Sequence, residues 1–300
     1  MSLLIQQLLN GLSTGAIYAL IGLGFVLIFG VARVFNGAQG PIVIVGFYLA
    51  SVVAGLSGGN FWLALLAATA IGAVFGLLLE RLAIAPLASK GGGLLVPFLT
   101  TLGFGMVLEG IVRTIFSSSP QPFFVEFASE SFKIGDVRLG QAQLFVTIFT
   151  ILLLVVLDRM IYSTSWGLSA RAVAENASIA GGVGISPVAL RIGIVTLASA
   201  LAGTTGALYG LQYAAATPTL GVVLTIKGLL VAVIAGLASF RGAVLIGLLL
   251  GVTEAMVIAF APGMPADGFA FVILVALLLF KPAGIFGRKL SGTAVGADDR

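Results

Sequence analysis

Leu144–Ile161, LFVTIFTILLLVVLDRMI, runs into Tyr162–Arg191, YSTSWGLSARAVAENASIAGGVGISPVALR, and then through Val188–Tyr213, VALRIGIVTLASALAGTTGALYGLQY. Two apolar runs thus flank a polar island. Each run approaches or exceeds the roughly 20 residues that a helix needs to cross a ~30 Å hydrocarbon core. Hydrophobic residues fill 59% of the 300 positions and charged residues 9%, whereas soluble domains carry about 25% charged. That balance excludes an ordinary soluble domain and a disordered chain. Outer-membrane barrels alternate over segments of about 10 residues, and these runs do not. The expected fold is all-α, a polytopic transmembrane helical bundle.

Working outward, further apolar runs lie near Leu4–Phe29, Ile42–Leu56, Phe61–Leu79, Leu94–Phe116, Val222–Leu237, Ala243–Phe260 and Phe269–Phe280. The Ile42–Leu56 run is short, opens after Pro41 and contains Gly46, so it reads as a broken or re-entrant helix as readily as a full crossing. Eight or nine spans are expected. The first residues, MSLLIQQLLN, lack a basic n-region and read as the lead-in to a retained span. The connectors that carry Glu80, Arg81 and Lys90, then Arg159, Arg171 and Arg191, then Arg241, and finally Lys281, Arg288 and Lys289 all fall on one side when crossings are counted. The Lys/Arg bias makes that side cytoplasmic, places the C-terminus there and leaves 291–300 as a disordered tail. The 117–143 loop falls outside, and its Phe132–Leu139 segment alternates around Gly135-Asp136 as a small hairpin would. Residues 1–290 read as one membrane domain.

The chain contains no cysteine and no histidine, which removes disulfides, thiol catalysis, zinc sites and histidine acid–base chemistry. It contains no Gly-Lys dipeptide, hence no Walker A loop, and no carboxylate cluster that suggests a metal. No catalytic residue and no cofactor is expected; energy for active transport would enter through a partner. The net charge of +4 is scattered over helix ends, not gathered into a nucleic-acid-binding patch.

Within the island, Arg171 and Glu175 are four apart and can pair along one helical face, with Ala174 between them and Asn176 next. Gly181, Gly182 and Gly184 then stop the helix. Ser186 is a good N-cap and Pro187 a good first helical residue for the following span. This is either an amphipathic surface helix joining two spans or a docking helix for a cytoplasmic partner. Asn36-Gly37-Ala38-Gln39-Gly40-Pro41 is either an ordinary turn or a segment whose amides line a polar pathway. Charges inside spans cost roughly 2.5–3.5 kcal/mol each, so each needs a reason. Glu109 and Arg113 can neutralise each other four residues apart. Glu254 has no local base; Lys227 either snorkels outward or meets Glu254 inside the bundle. Glycines at small-x-x-x-small spacing, such as Gly11/Gly15 and Gly247/Gly251, allow close helix crossings. Ser13–Tyr18 and Thr204–Tyr209 resemble each other weakly, in spans expected to run in opposite directions.

Over nearly its whole length the chain resembles the membrane permease subunits of ATP-binding-cassette importers for branched-chain amino acids, the LivH/LivM type. The resemblance rests on Asn10-Gly11 with Tyr18-Ala19-Leu20; Asn36–Gly40; Glu80-Arg81 with Pro86-Leu87; Gly167 with Arg171-Ala172-Val173-Ala174; Gly184-Ile185; Gly236-Leu237 with Gly242-Ala243; and Lys281-Pro282-Ala283-Gly284-Ile285-Phe286-Gly287, in that order. It implies a multi-pass permease of the bacterial inner membrane, paired with a second homologous permease subunit as a heterodimer. Two cytoplasmic ATPase subunits and an extracytoplasmic solute-binding protein complete the implied importer. The 162–191 segment then matches the family's coupling loop, with Arg171, Ala174, Glu175, Asn176, Gly181 and Gly184 toward the ATPase, and Tyr18, Asn36, Gln39 and Gly40 fall to the translocation pathway. The family commonly has Asn-Phe-Ala-His-Gly followed by an acid, where this chain has Asn36-Gly37-Ala38-Gln39-Gly40-Pro41, a neutral and less bulky lining. Leucine, isoleucine or valine is the implied substrate, with urea or a short amide as the alternative. A stand-alone secondary transporter or channel using Glu254 is the reading from a different class.

Overall fold

The computed structural model describes residues 2–88, 95–125, 131–134 and 137–260, with 268, 272, 281 and 284–286. In chain order the helices are α1 (Ser2–Ala32), α2 (Gln39–Leu56), α3 (Phe61–Leu79), a π-helical turn at Glu80–Ile84, α4 (Ala85–Ala88), α5 (Leu95–Phe116) and α6 (Gln141–Ser163). After them come α7 (Ser165–Glu175), α8 (Ala177–Gly182), α9 (Pro187–Tyr213), α10 (Leu220–Ala235) and α11 (Phe240–Phe260). Among the described residues, α1, α2, α3, α5, α6, α9 and α11 are long and apolar enough to cross a membrane, and α10 is a shorter apolar helix. The chain is an all-α, multi-pass membrane bundle. The run expected at Phe269–Phe280, Lys90 and the 291–300 tail lie outside the described residues.

The run expected to be broken is a single helix. α2 is continuous over 18 residues. Pro41 falls in its first turn, where a missing N–H removes no intrahelical bond. Gly46 marks a crossing with α9, since a Cβ there would stand 2.6 Å from Gly203 Cα.

Glycine and other small residues set how the helices meet. α9 occupies the centre: Gly203 packs against the Ala68 carbonyl and Gly72 of α3 on one side and against Gly46 of α2 on the other. Gly206 abuts Val43 and Phe47, and Gly76 abuts Ser199 and Thr196. α1 and α11 form a second seam, with Gly11 against Val252, Gly15 against Leu248 and Gly247 against Ala19, an antiparallel pairing. In lipid no hydrophobic drive separates helix from solvent, so close approach through small residues carries the association. α1 and α9 also run antiparallel: Ser13 bonds Gln212 near one end and Gln39, packed on Gly24, bonds Ala198 further along.

The two ends of the bundle differ. One face gathers the island, Arg33 at the end of α1, Glu80, Arg191 at the start of α9, and Arg241 beside Asp158. The amides of Ile285 and Phe286 donate to the Ile234 and Ala235 carbonyls, which puts 284–286 on this same face. The opposite end carries β1 (Gln121–Pro122) paired antiparallel with β4 (Ala215–Ala216). It also carries β2 (Ser131–Ile134) and β3 (Val137–Gly140), antiparallel with Phe132 opposite Leu139. These two strands flank the expected Gly135-Asp136 turn, which lies outside the described residues.

Gly203→Val should lower the melting temperature of the detergent-solubilised protein by several degrees, since overpacking costs about 1–3 kcal/mol. Gly30→Ala, whose added methyl meets nothing within 4 Å, should leave it unchanged. A wild-type melting curve for Gly203→Val would show that the α2–α3–α9 crossing has slack.

Candidate functional site

The island is built from local rules of helix starting and stopping. Thr164 leaves α6 in an extended conformation, and its hydroxyl accepts from Gly167 N at 3.1 Å, capping α7. Gly167 is required by contact, because a Cβ there would stand 2.6 Å from the Ile161 Cα. One expected helix is two. Asn176 swings to φ −153°, ψ 104°, ends α7 and caps α8, its Oδ1 accepting from Ser178 N and Ile179 N at 3.0 Å each. An Asn side chain that can satisfy two free amides competes with helix continuation, and here it wins. At the far end Gly184 sits at φ +87°. Gly184 N donates to Gly181 O and Ile185 N to Ala180 O, both at 3.1 Å, the paired bonds of a Schellman stop. Ser186 then caps α9 through Ala189 N, with Pro187 opening the helix as expected.

The pairing expected inside the island does not form. Arg171 lies over the Tyr162 ring, 5.4 Å from its centroid, instead of against Glu175. Arg241 covers the same ring at 4.8 Å and holds Asp158 with two bonds of 2.9 and 3.1 Å. Tyr162 is half-exposed at the end of α6; its ring face offers Arg171 a site of negative potential and backs the Arg241–Asp158 pair from the other side of the guanidinium. Arg33, in the left-handed region at φ 53°, donates from Nη2 to the Ala174 carbonyl at 2.7 Å. That carbonyl belongs to the last turn of α7, where a cation meets the negative end of the helix dipole. A cavity of about 740 Å³ lies between α7, the end of α1 and the Gly236–Phe240 turn, with Arg33, Arg171, Glu175 and Trp166 on its walls. α7 buries Ala170 and Val173 and α8 buries Ala180, while Leu168, Ile179 and Val183 stand 61%, 67% and 73% exposed.

Beside the island, Arg191 Nε meets Glu80 Oε1 at 2.7 Å. Glu80 is buried at the π-helical turn, and its Oε2 has no hydrogen-bond partner. This link between the π-helical turn and α9 was not anticipated. The residues lie far apart in sequence, and their charges read only as markers of the basic side.

The Asn36–Pro41 segment is not an open cluster of amides. Asn36 and Gln39 are both fully buried. Asn36 Nδ2 donates to Gln39 Oε1 at 3.0 Å, Ala38 N donates to Asn36 Oδ1 at 3.0 Å, and Gln39 Nε2 donates to Ala198 O at 3.1 Å. Gly37 N and Gly40 N are taken up by the Thr101 and Thr225 hydroxyls. In this conformation the amides satisfy each other and the turn between α1 and α2, leaving none of those bonds for a solute. Gly40 also gives α10 its approach, since a Cβ there would press into Gly221 and Thr225.

The charges within the apolar helices pair off. Glu109 and Arg113 meet at 2.6 Å along α5. Lys227 turns inward: its Nζ lies 2.7 Å from Glu254 Oε1 and 2.7 Å from the Tyr18 hydroxyl. Above them a polar network was missed in the sequence. Gln143 Nε2 donates to Asn10 Oδ1 (2.9 Å), Ser13 donates to Gln212 Oε1 (2.7 Å), and Thr14 pairs with the Tyr213 hydroxyl (3.0 Å). The signal was present, for Asn10, Ser13, Thr14 and Tyr18 recur at helical spacing along one face of α1.

The chain is 31% identical to the Pseudomonas aeruginosa high-affinity branched-chain amino acid transport system permease protein BraD, over 95% of this chain and 96% of that one. It is 29% identical to the Escherichia coli K12 high-affinity branched-chain amino acid transport system permease protein LivH, over 95% and 96%. It is 30% identical to the probable branched-chain amino acid transport permease protein LivH of Methanocaldococcus jannaschii, over 89% and 88%. Residues 7–280 match the family described as branched-chain amino acid transport system / permease component, and the chain belongs to that family.

Proposed function

We propose that the chain is the permease subunit of an ATP-driven importer for branched-chain amino acids, with the island as the point where ATPase motion enters the membrane. The observation that carries this reading is the two-helix island itself. It is capped at every boundary and tied to α1 through Arg33 and Ala174. It also exposes Leu168, Ile179 and Val183 in a chain that has no ATP-binding loop of its own. A mere connector needs no such construction. Exposed apolar side chains on helices that also carry the exposed Arg171 and Glu175 suit a groove on a soluble partner.

Membership of the permease family supports an assembly of the following kind. Two ATPase subunits dock on the island face, a second homologous permease pairs in the membrane, and a solute-binding protein delivers the amino acid to the opposite end, where β1–β4 and β2–β3 lie. ATP hydrolysis resides on the separate subunits. The island face, with Arg33, Arg171, Arg191 and Arg241, is cytoplasmic by the charge rule, in a bacterial inner membrane with the C-terminal segment on that side. Tyr18, Asn36, Gln39 and Gly40 belong to the inner part of the pathway. Opening it requires the Asn36–Gln39–Ala198 bonds to exchange, which makes the amides a latch between α1, α2 and α9.

In the reconstituted importer, Arg171→Glu and Glu175→Arg should each lower leucine-stimulated ATP hydrolysis several-fold while the permease still folds and inserts. Unchanged hydrolysis in both variants would remove the island as the docking site. Gln39→Leu should reduce leucine uptake at least tenfold while the ATPase subunits still co-purify, and unaltered uptake would take Gln39 out of the pathway.

A further inference from the structure

Resting on the importer reading, we propose that Lys227, Glu254 and Tyr18 form a recognition site for the ammonium and carboxylate of a zwitterionic α-amino acid during its passage. Lys227 and Glu254 lie well inside α10 and α11, and their side chains are 11% and 14% exposed. Two charges at such a depth are expensive to insert. An apolar pair of similar volume generally packs as well or better than a buried ion pair. Holding the helices together therefore does not account for them, since the glycine seams of α1 with α11 and α10 already do that.

The geometry suits exchange. Lys227 Nζ sits between Glu254 Oε1 and the Tyr18 hydroxyl at 2.7 Å each, and 4.7 Å from the Tyr18 ring centroid. Glu254 Oε2 accepts no hydrogen bond among the described residues. An arriving zwitterion places its ammonium on Glu254 and its carboxylate on Lys227 and Tyr18. One internal ion pair becomes two intermolecular ones, and no net charge enters the bundle. A solute with a single charge leaves one buried group unpaired, which the apolar surroundings penalise. The site thereby selects the backbone head of an amino acid and leaves the side chain to other contacts.

A polar route leads to it from the end of the bundle opposite the island. Asn10, Ser13, Thr14 and Tyr18 occupy one face of α1. Gln143, Gln212 and Tyr213 answer them from α6 and α9, and Tyr213 lies within electrostatic reach of both Glu254 and Lys227. Toward the island the route closes: Val231 packs on Gly22, and Ile21 and Phe25 pack on Gly228. The polar ladder thus ends at the ion pair.

The test uses the whole importer in liposomes, with its binding protein and ATPase subunits, and L-leucine as the probe. The double variant Lys227→Met/Glu254→Leu should assemble with its ATPase subunits and lose leucine uptake at least thirtyfold. Uptake within twofold of the unaltered importer would show the pair to be structural and overturn the proposal. Because the chain has no cysteine, Thr14→Cys gives a single thiol on the route with the pair intact, and serves where the double variant fails to assemble. Leucine-loaded binding protein should slow its labelling by a membrane-impermeant thiol reagent several-fold; labelling indifferent to leucine would overturn the proposal. Absence of leucine uptake by the unaltered importer would instead sink the importer reading beneath it.

Discussion

The bundle depends on backbone-to-backbone contact between helices at positions without side chains. In lipid an apolar helix gains nothing by hiding its leucines, so association relies on close packing and on the few polar groups that find partners. Gly203 brings α9 against both α2 and α3, and Gly11, Gly15 and Gly247 seat α11 along α1. These crossings fix α9 in the centre and α1 between it and α11. Everything described at the two ends follows from that placement. Arg33 reaches Ala174 because α1 ends beneath α7, and Ser13 reaches Gln212 because α1 and α9 are antiparallel.

Polar groups then occupy the places where the close packing leaves room. Those between α1, α2 and α9 close on one another, with Asn36, Thr101 and Thr225 accepting from the buried amides at the start of α2 and Gln39 bonding Asn36 and Ala198. Such a network costs little while complete and much when one member is lost, because every orphaned group is far from water. The ion pair of Lys227 with Glu254 obeys the same rule with larger stakes. Glu80 is the exception. It pairs with Arg191 through one oxygen and leaves the other unpartnered in a buried π-helical turn next to the island.

The island shows how local chemistry and tertiary context divide the work. Its start at Thr164, its stop at Gly184 and the restart at Ser186-Pro187 are all matters of capping; the stop and the restart were read from residue type, and the Thr164 cap emerged only in the structure. The break at Asn176 was equally local but was overlooked, because the run from Ala170 to Ala180 has good helical composition and the capping power of Asn176 competes with it. The salt bridge expected between Arg171 and Glu175 failed for a different reason. Tyr162, nine residues earlier on α6, folds back under Arg171 and offers its ring instead.

From sequence alone came the membrane class, most span positions, the family, the glycine stop at Gly184 and the Ser186-Pro187 restart, since all of these depend on composition or on close neighbours along the chain. The structure decided that α2 is unbroken, that the Asn36 and Gln39 amides turn on each other, and that Lys227 faces inward to Tyr18 and Glu254. It also assembled the polar ladder from α1, α6 and α9. These outcomes depend on which helix faces which and at what angle. In an apolar alphabet of leucine, valine, alanine and glycine, periodicity says little about facing, because lipid and protein interior solvate such side chains alike.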